Sequence, residues 1–172
     1  LQTQPRDQDL ALKAELIRQL SEELLANLER TRRLERLLHD QLLPATGQKL
    51  ESVPGIGTLT AATILGEIGD VRRFPTRHAF AKYNGTAPAS KSTGGRQRHT
   101  ARRGCNHRLK RALWQSALSA VRHDPLAKAY YQRRLTGGLS KVDAIKRVAR
   151  RMSDMIYAML RTGEAYDRKR LE

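Results

Sequence analysis

An all-α fold is what this sequence predicts, and three observations predict it. Hydrophobic residues fill 39% of the 172 positions but aromatic residues only 5%. The core must therefore be built of Leu, Ala, Ile and Val, a palette that favours helices over sheets. Near the start of the chain lies a long stretch without Pro or Gly in which apolar residues return every seven positions. The rest is cut into apolar-periodic stretches by helix-start residues (Ser, Thr, Asn, Asp) and helix-stop glycines. Residues 1–43 accordingly read as a long coiled-coil-type helix, and residues 44–172 as a compact helical domain.

The first helix is predicted over residues 7–43. Leu10, Ile17, Leu24, Thr31 and Leu38 form a seven-residue series, and Leu20, Asn27 and Leu34 fall three residues after its members. That is an a/d seam with one polar d position. Leu16, Leu28, Leu37 and Leu42 widen the stripe beyond a two-helix seam. Self-association through this helix, giving a homo-oligomer, is the expectation; an amphipathic helix lying on its own domain is the alternative. Pro44 ends the helix, and a short turn is expected over 48–52. Pro54-Gly55-Ile56-Gly57 makes a tight turn, followed by a helix over 58–68 that Gly69 stops. Pro75-Thr76 opens a short helix through Tyr83, closed by Asn84-Gly85. Residues 85–104 read as an irregular Ser/Gly loop, with a short hairpin as the alternative. Asn106 caps a helix reaching His123, Asp124-Pro125 starts another that ends at Gly137-Gly138, and Ser140 caps the last, which runs to about Arg161. Val142, Ile145, Val148, Ala149, Met152, Met155 and Ile156 are its expected core positions.

The formal net charge is +16 and the sequence pI about 10.9. The excess is unevenly placed. Residues 1–52 carry nine acids against eight Lys and Arg, whereas residues 71–123 contain no Asp or Glu at all. A solvated face normally mixes signs to limit self-repulsion, so the acid-free stretch reads as a surface that faces phosphate, and DNA or RNA is the expected partner. Cys105 is the one cysteine, which excludes an internal disulfide and a cysteine zinc cluster. No metal site is expected in this chain. No segment approaches the length of a membrane span and no signal peptide is visible, so no membrane partner and a cytoplasmic location are expected.

Two motifs could carry chemistry. The Pro54-Gly55-Ile56-Gly57 turn, followed by a helix with Ala61 and Ala62, resembles a helix-hairpin-helix element. In such an element the amides around Gly55 and Gly57, with the helix dipole behind them, bind a DNA phosphate without reading sequence. The second is the run from Pro88 through Ser90, Lys91, Ser92, Thr93, Gly94 and Gly95 to Arg96. Small hydroxyl residues beside two glycines can approach a phosphate closely, and in a field of cations a hydroxyl can donate to phosphate oxygens or attack phosphorus. The ending of a Walker A loop is absent. Arg96, Arg98, His99, Arg102 and Arg103 continue the basic run into His107, Arg108, Lys110 and Arg111. Glu67 and Asp70 lie close together, with nothing near them to suggest a metal site.

The order of these motifs is itself informative. The segment from Ser52 to Gly57, Phe74 with Tyr83-Asn84-Gly85-Thr86-Ala87-Pro88, Ser92-Thr93-Gly94-Gly95, Arg103-Gly104-Cys105-Asn106-His107-Arg108-Leu109, Asp124-Pro125 and Tyr130-Tyr131 together resemble the C-terminal transposase domain of the IS110 (IS116/IS902-like) family of insertion-sequence transposases. The resemblance covers residues 51–166. It implies a two-part recombinase: an N-terminal RNase H-like domain whose acidic residues bind magnesium, and a C-terminal domain that supplies a nucleophilic serine. Members with a structural RNA partner use a bridge RNA to select DNA. The family serine precedes the Thr/Ser-Gly-Gly turn and so matches Ser92, with Thr93 or Ser90 the alternatives if the register is shifted. Lys91, Gly94, Gly95, Arg96, Arg98, Arg102, Arg103 and Arg108 would then hold flanking phosphates, and the long first helix looks like the family's coiled-coil linker. The resemblance further implies a bacterial protein at the nucleoid, with no cofactor in this chain and magnesium in the N-terminal domain. This sequence departs from the pattern in two places: the acidic domain is missing, so the isolated chain should bind DNA better than it cuts, and Thr86 stands where many relatives have an apolar residue. A non-catalytic helix-hairpin-helix protein that binds DNA or RNA is the alternative function.

Overall fold

The computed structural model describes residues 4–42, 45–93, 96–100 and 104–166, and its fold is helical as expected, with one two-stranded ribbon. The chain divides into two units, Leu1–Leu42 and Leu43–Glu172. The first holds a single helix, α1 (Gln4–Leu37), continued by a π-helical turn at Leu38–Leu42. Pro44, the expected stop, lies outside the described residues. Ion pairs Asp9–Lys13, Glu15–Arg18 and Arg18–Glu22 at helical spacing support α1. Its seam residues Leu10, Ile17, Leu20 and Leu24 are each between 59% and 65% exposed.

The second unit is α2 (Ala45–Glu51), α3 (Thr58–Ile68), a 3-10 turn at Val71–Arg73, α4 (Arg77–Tyr83), the strands β1 (Ala89–Thr93) and β2 (Arg96–Thr100), α5 (His107–His123), α6 (Pro125–Thr136) and α7 (Lys141–Thr162). The caps are the ones their chemistry demands. Thr76 accepts from the Ala79 amide, Asn106 from Leu109, Asp124 from Ala127 and Ser140 from Asp143, each satisfying an otherwise orphaned donor. α7 buries Ala144, Ile145, Val148, Ala149, Met152, Ser153, Ile156 and Met159, a stripe at helical period. Val142, expected in that stripe, is instead 53% exposed. It is the second residue of the helix, and burial begins only where Ala144 and Ile145 meet their neighbours.

α5 packs against α3, α6 and α7. Its buried face is Leu109, Ala112, Leu113, Ser116, Ala117 and Ala120, mostly small residues. They leave room for the Pro54-Gly55-Ile56-Gly57 turn to press on the helix backbone. Gly55 has φ +89°, and a Cβ there would lie 2.3 Å from the Ser116 carbonyl oxygen and 2.8 Å from the Ala120 nitrogen. Both the dihedral and the approach require glycine. Gly57, at φ −100°, is exposed, with nothing within 4 Å of an added Cβ. An aromatic cluster closes the other end: Phe74 meets Phe80 at 5.3 Å and Tyr83 at 5.0 Å between ring centroids, and Phe80 meets Tyr157 at 5.8 Å.

Gly55→Ala should therefore cost on the order of 2–4 kcal/mol, combining positive-φ strain with a backbone clash, and Gly57→Ala less than about 1 kcal/mol. Urea unfolding of the two variants checks the contrast; equal costs would mean that Gly55 is not held against α5.

Candidate nucleic-acid interface

Where an irregular Ser/Gly loop was expected, the chain forms an antiparallel ribbon. Ala89 pairs with Thr100, Ser90 with His99, Lys91 with Arg98, Ser92 with Gln97 and Thr93 with Arg96. Two residues, 94 and 95, join the strands. A Gly-Gly dipeptide between two short polar runs is a two-residue hairpin signal, and a short hairpin is the alternative that the sequence offers to a loop.

The described segments that flank the ribbon, 84–88 on the entry side and 104–106 on the exit side, are hydrogen-bonded to the helical core. At the entry, Asn84 is fully buried: its Nδ2 donates to Ser153 Oγ of α7 at 2.7 Å, and its Oδ1 accepts from the Thr86 amide at 3.1 Å and the Thr86 hydroxyl at 2.6 Å. At the exit, the Asn106 amide donates to the Tyr83 carbonyl at 2.7 Å, and Asn106 Nδ2 donates to Glu67 Oε2 at 2.7 Å and to the Tyr83 hydroxyl at 3.0 Å. The Tyr83 hydroxyl in turn donates to the Glu67 carbonyl at 3.0 Å. Gly85, at φ +72°, lets the two segments touch, since a Cβ there would lie 2.8 Å from Cys105 Sγ and 3.0 Å from Lys110 Cδ.

Cations surround these segments. Arg73 stacks over both Phe74 and Tyr83 at 4.6 Å from each ring centroid. Arg108 reaches Glu67 Oε1 at 3.3 Å yet keeps 84% of its side chain exposed. Arg77, Lys82 and Arg111 are exposed as well. The Arg72 backbone amide, and then its guanidinium, hold the exposed Asp70 carboxyl below its ordinary range. That contribution is present above the ordinary carboxylate pKa and is lost as pH falls through the lower folded value. A groove of about 490 Å³ opens between Val53-Pro54, α5, α6 and α7. On its wall Tyr130 carries the guanidinium groups of Arg134 and Arg151 at 4.8 and 5.0 Å.

The expected site residues thus fall into separate places. Lys91, Ser92, Arg96 and Arg98 lie on the ribbon, and Arg108 is exposed in the first turn of α5. Gly57 is open at the N-terminus of α3, while Gly55 faces α5. Gly94, Gly95, Arg102 and Arg103 lie outside the described residues. The sequence reading missed Glu67, Tyr83 and Asn84 as parts of the site. The available signal was that Glu67 and Asp70 are the last acids before the acid-free stretch. Among the described residues no three His, Cys, Asp or Glu side chains gather where a metal ion could bind, and no helix is long and apolar enough to cross a membrane.

The model of the transposase IS116/IS110/IS902 family matches residues 47–132. The chain is similar to the 43.6 kDa protein of insertion element IS110 from Streptomyces coelicolor, with 40% identity over 69% of this chain and 29% of that protein. It is also similar to the 42 kDa protein of insertion element IS900 from Mycobacterium paratuberculosis, with 34% identity over 67% of this chain and 29% of that protein. The transposase for insertion sequence element IS1328 from Yersinia enterocolitica is 35% identical over 40% of this chain and 21% of its own length. The chain therefore spans less than a third of the length of these relatives.

The buried Asn84 knot predicts its own cost of removal. Asn84→Ala should destabilise the second unit by about 2–4 kcal/mol, because Ser153 Oγ loses its donor and Thr86 its acceptor within the core. Chemical denaturation measures this; a cost under about 0.5 kcal/mol would show that the knot does not hold the ribbon's entry.

Proposed function

The chain belongs to the IS116/IS110/IS902 family of transposases, and from that membership we propose that it binds DNA and presents the Ser92 hydroxyl as the nucleophile of strand cleavage and exchange. The observation that carries the reading is the ribbon: a polar hairpin between segments hydrogen-bonded to the helical core, with Ser92 inside an acid-free basic stretch. In the reaction Ser92 Oγ bonds to phosphorus, the bond from phosphorus to the deoxyribose oxygen breaks, and the serine proton ends on the leaving oxygen. One phosphoester replaces another, so the step needs no external energy source and reverses to rejoin strands. Lys91, Arg96 and Arg98, with Arg102, Arg103 and Arg108, hold flanking phosphates and offset charge on the phosphoryl oxygens. The open amides at Gly57 add a phosphate contact at the start of α3.

Magnesium, which the family resemblance attaches to an acidic domain, finds no donor set among the described residues. A free serine is a weak nucleophile, so this chain alone binds DNA but cleaves poorly. A guide RNA is proposed as a further partner, since phosphate-directed cations serve RNA backbones as well as DNA. The exposed Leu/Ile seam of α1 is proposed to pair with a second copy, because burying each such side chain is worth about 1.5–3 kcal/mol.

Three outcomes test this reading. In the strand-exchanging protein that carries this chain, Ser92→Ala should abolish the covalent protein–DNA adduct while DNA affinity stays within a factor of a few, since one hydroxyl contributes about 1 kcal/mol. An adduct that survives moves the nucleophile to Thr93 or Ser90, or removes this loop from catalysis. Titrating duplex DNA at several salt concentrations should give a steep log–log slope, and Arg108→Ala should weaken binding on all sequences and lower the slope by roughly one; a flat slope rules out a phosphate-facing surface. Deleting residues 1–43 should reduce an oligomer to monomers by light scattering, and a full chain that is already monomeric would sink the seam as a dimer contact.

A further inference from the structure

We infer that Arg73 and Arg108 form a two-armed clamp on the phosphodiester backbone of duplex DNA, an inference that rests on the DNA-binding reading above. Arg73 belongs to none of the sequence motifs, yet its side chain is held from two sides. The guanidinium lies over the rings of Phe74 and Tyr83, 4.6 Å from each centroid, and its Nη2 donates to the Glu67 carbonyl at 3.4 Å. The rings make a firm bed, since Phe74 is buried and meets Tyr83 at 5.0 Å between centroids. A guanidinium stacks through its face and donates through its edge. Stacking thus fixes Arg73 and leaves most of its in-plane donors for a ligand. The residue stays exposed.

Arg108 is the second arm. Its Nη1 donates to Glu67 Oε1 at 3.3 Å, and 84% of its side chain is exposed. Both guanidinium groups are therefore tied to one residue, Arg73 to its carbonyl and Arg108 to its carboxylate. Asn106 Nδ2 donates to the other carboxylate oxygen at 2.7 Å. Both oxygens thus face donors of their own chain, and a side chain only 22% exposed shows a phosphate little of its charge. Arg72, the neighbour of Arg73, is placed otherwise: its Nε lies 3.2 and 3.1 Å from the two oxygens of Asp70, a counter-ion that competes with any phosphate. Two arginines set side by side suit a backbone, whose phosphates repeat along the strand and position a protein without specifying sequence. Arginines ordered before binding forgo less side-chain entropy when the phosphates arrive.

The test titrates the full chain with a mixed-sequence DNA duplex at several salt concentrations. Arg73→Ala should weaken binding about tenfold near 0.1 M salt and lower the log–log slope by roughly one, and the Arg73→Ala, Arg108→Ala double variant should lower it by roughly two. Arg73→Lys keeps the charge but loses the flat stack and the fork of donors; it should bind about threefold more weakly with a slope near the parent's. Lys128→Ala, which removes an equal charge from an exposed position on α6, should stay within about twofold. Urea midpoints are measured for each variant, and Arg73→Gln, whose flat amide keeps the ring contact, reads the same loss if the alanine variant unfolds. An Arg73→Ala chain that binds like the parent, a loss no larger than that of Lys128→Ala, or an Arg73→Lys chain with parental affinity overturns the clamp. So does a loss confined to an RNA duplex run in parallel, which would assign the pair to RNA. The two failures separate on the parent chain: a flat slope there refutes DNA binding itself, whereas a steep slope with an unaffected Arg73→Ala refutes only the clamp.

Discussion

The small side chains along α5 are the constraint on which the second unit depends. Ala112, Ser116, Ala117 and Ala120 keep one face of that helix thin, so α3, α6 and α7 can pack around it and the Gly55 turn can reach its backbone. Close packing makes such a site unforgiving, because a single added methylene has no void to enter. The same helix begins at Asn106, whose carboxamide caps it and also reaches Glu67 and Tyr83.

Charge works on this frame in two ways. Residues 71–123 hold cations without acids, which favours a polyanion and disfavours compactness, since like charges repel. The structure relieves part of that repulsion locally. Arg73 lies on two aromatic rings, and Arg108 shares the Glu67 carboxylate with Asn106. Both keep their guanidinium groups at the surface beside the segments that flank the ribbon. Cations ordered before a phosphate arrives lose less side-chain entropy on binding.

The glycine turn carries two demands at once. Gly55 answers to α5, through its dihedral and through contact, and Gly57 answers to solvent and the start of α3. A motif read as one phosphate-binding unit thus has one residue committed to packing and one open.

Local signals determined most of the helical boundaries. Thr58–Ile68, His107–His123 and Pro125–Thr136 lie where caps, glycines and Pro125 put them, because a cap is a short-range hydrogen bond between residues two or three apart. The basic stretch was equally legible, since charge is a property of composition, and the order of motifs pointed to the family. Tertiary structure alone decided the rest. The ribbon was readable only as an alternative, because its short polar runs lack the apolar alternation that marks a strand in sequence. Val142 looked like core until the packing of α7 began two residues later. Asn84 and Asn106 read as a helix stop and a helix cap, yet their amides reach Ser153 and Glu67, 69 and 39 residues away in sequence. Hydrogen bonds across such separations leave no periodicity in the chain, because only the packing of α3, α4, α5 and α7 brings their partners within reach.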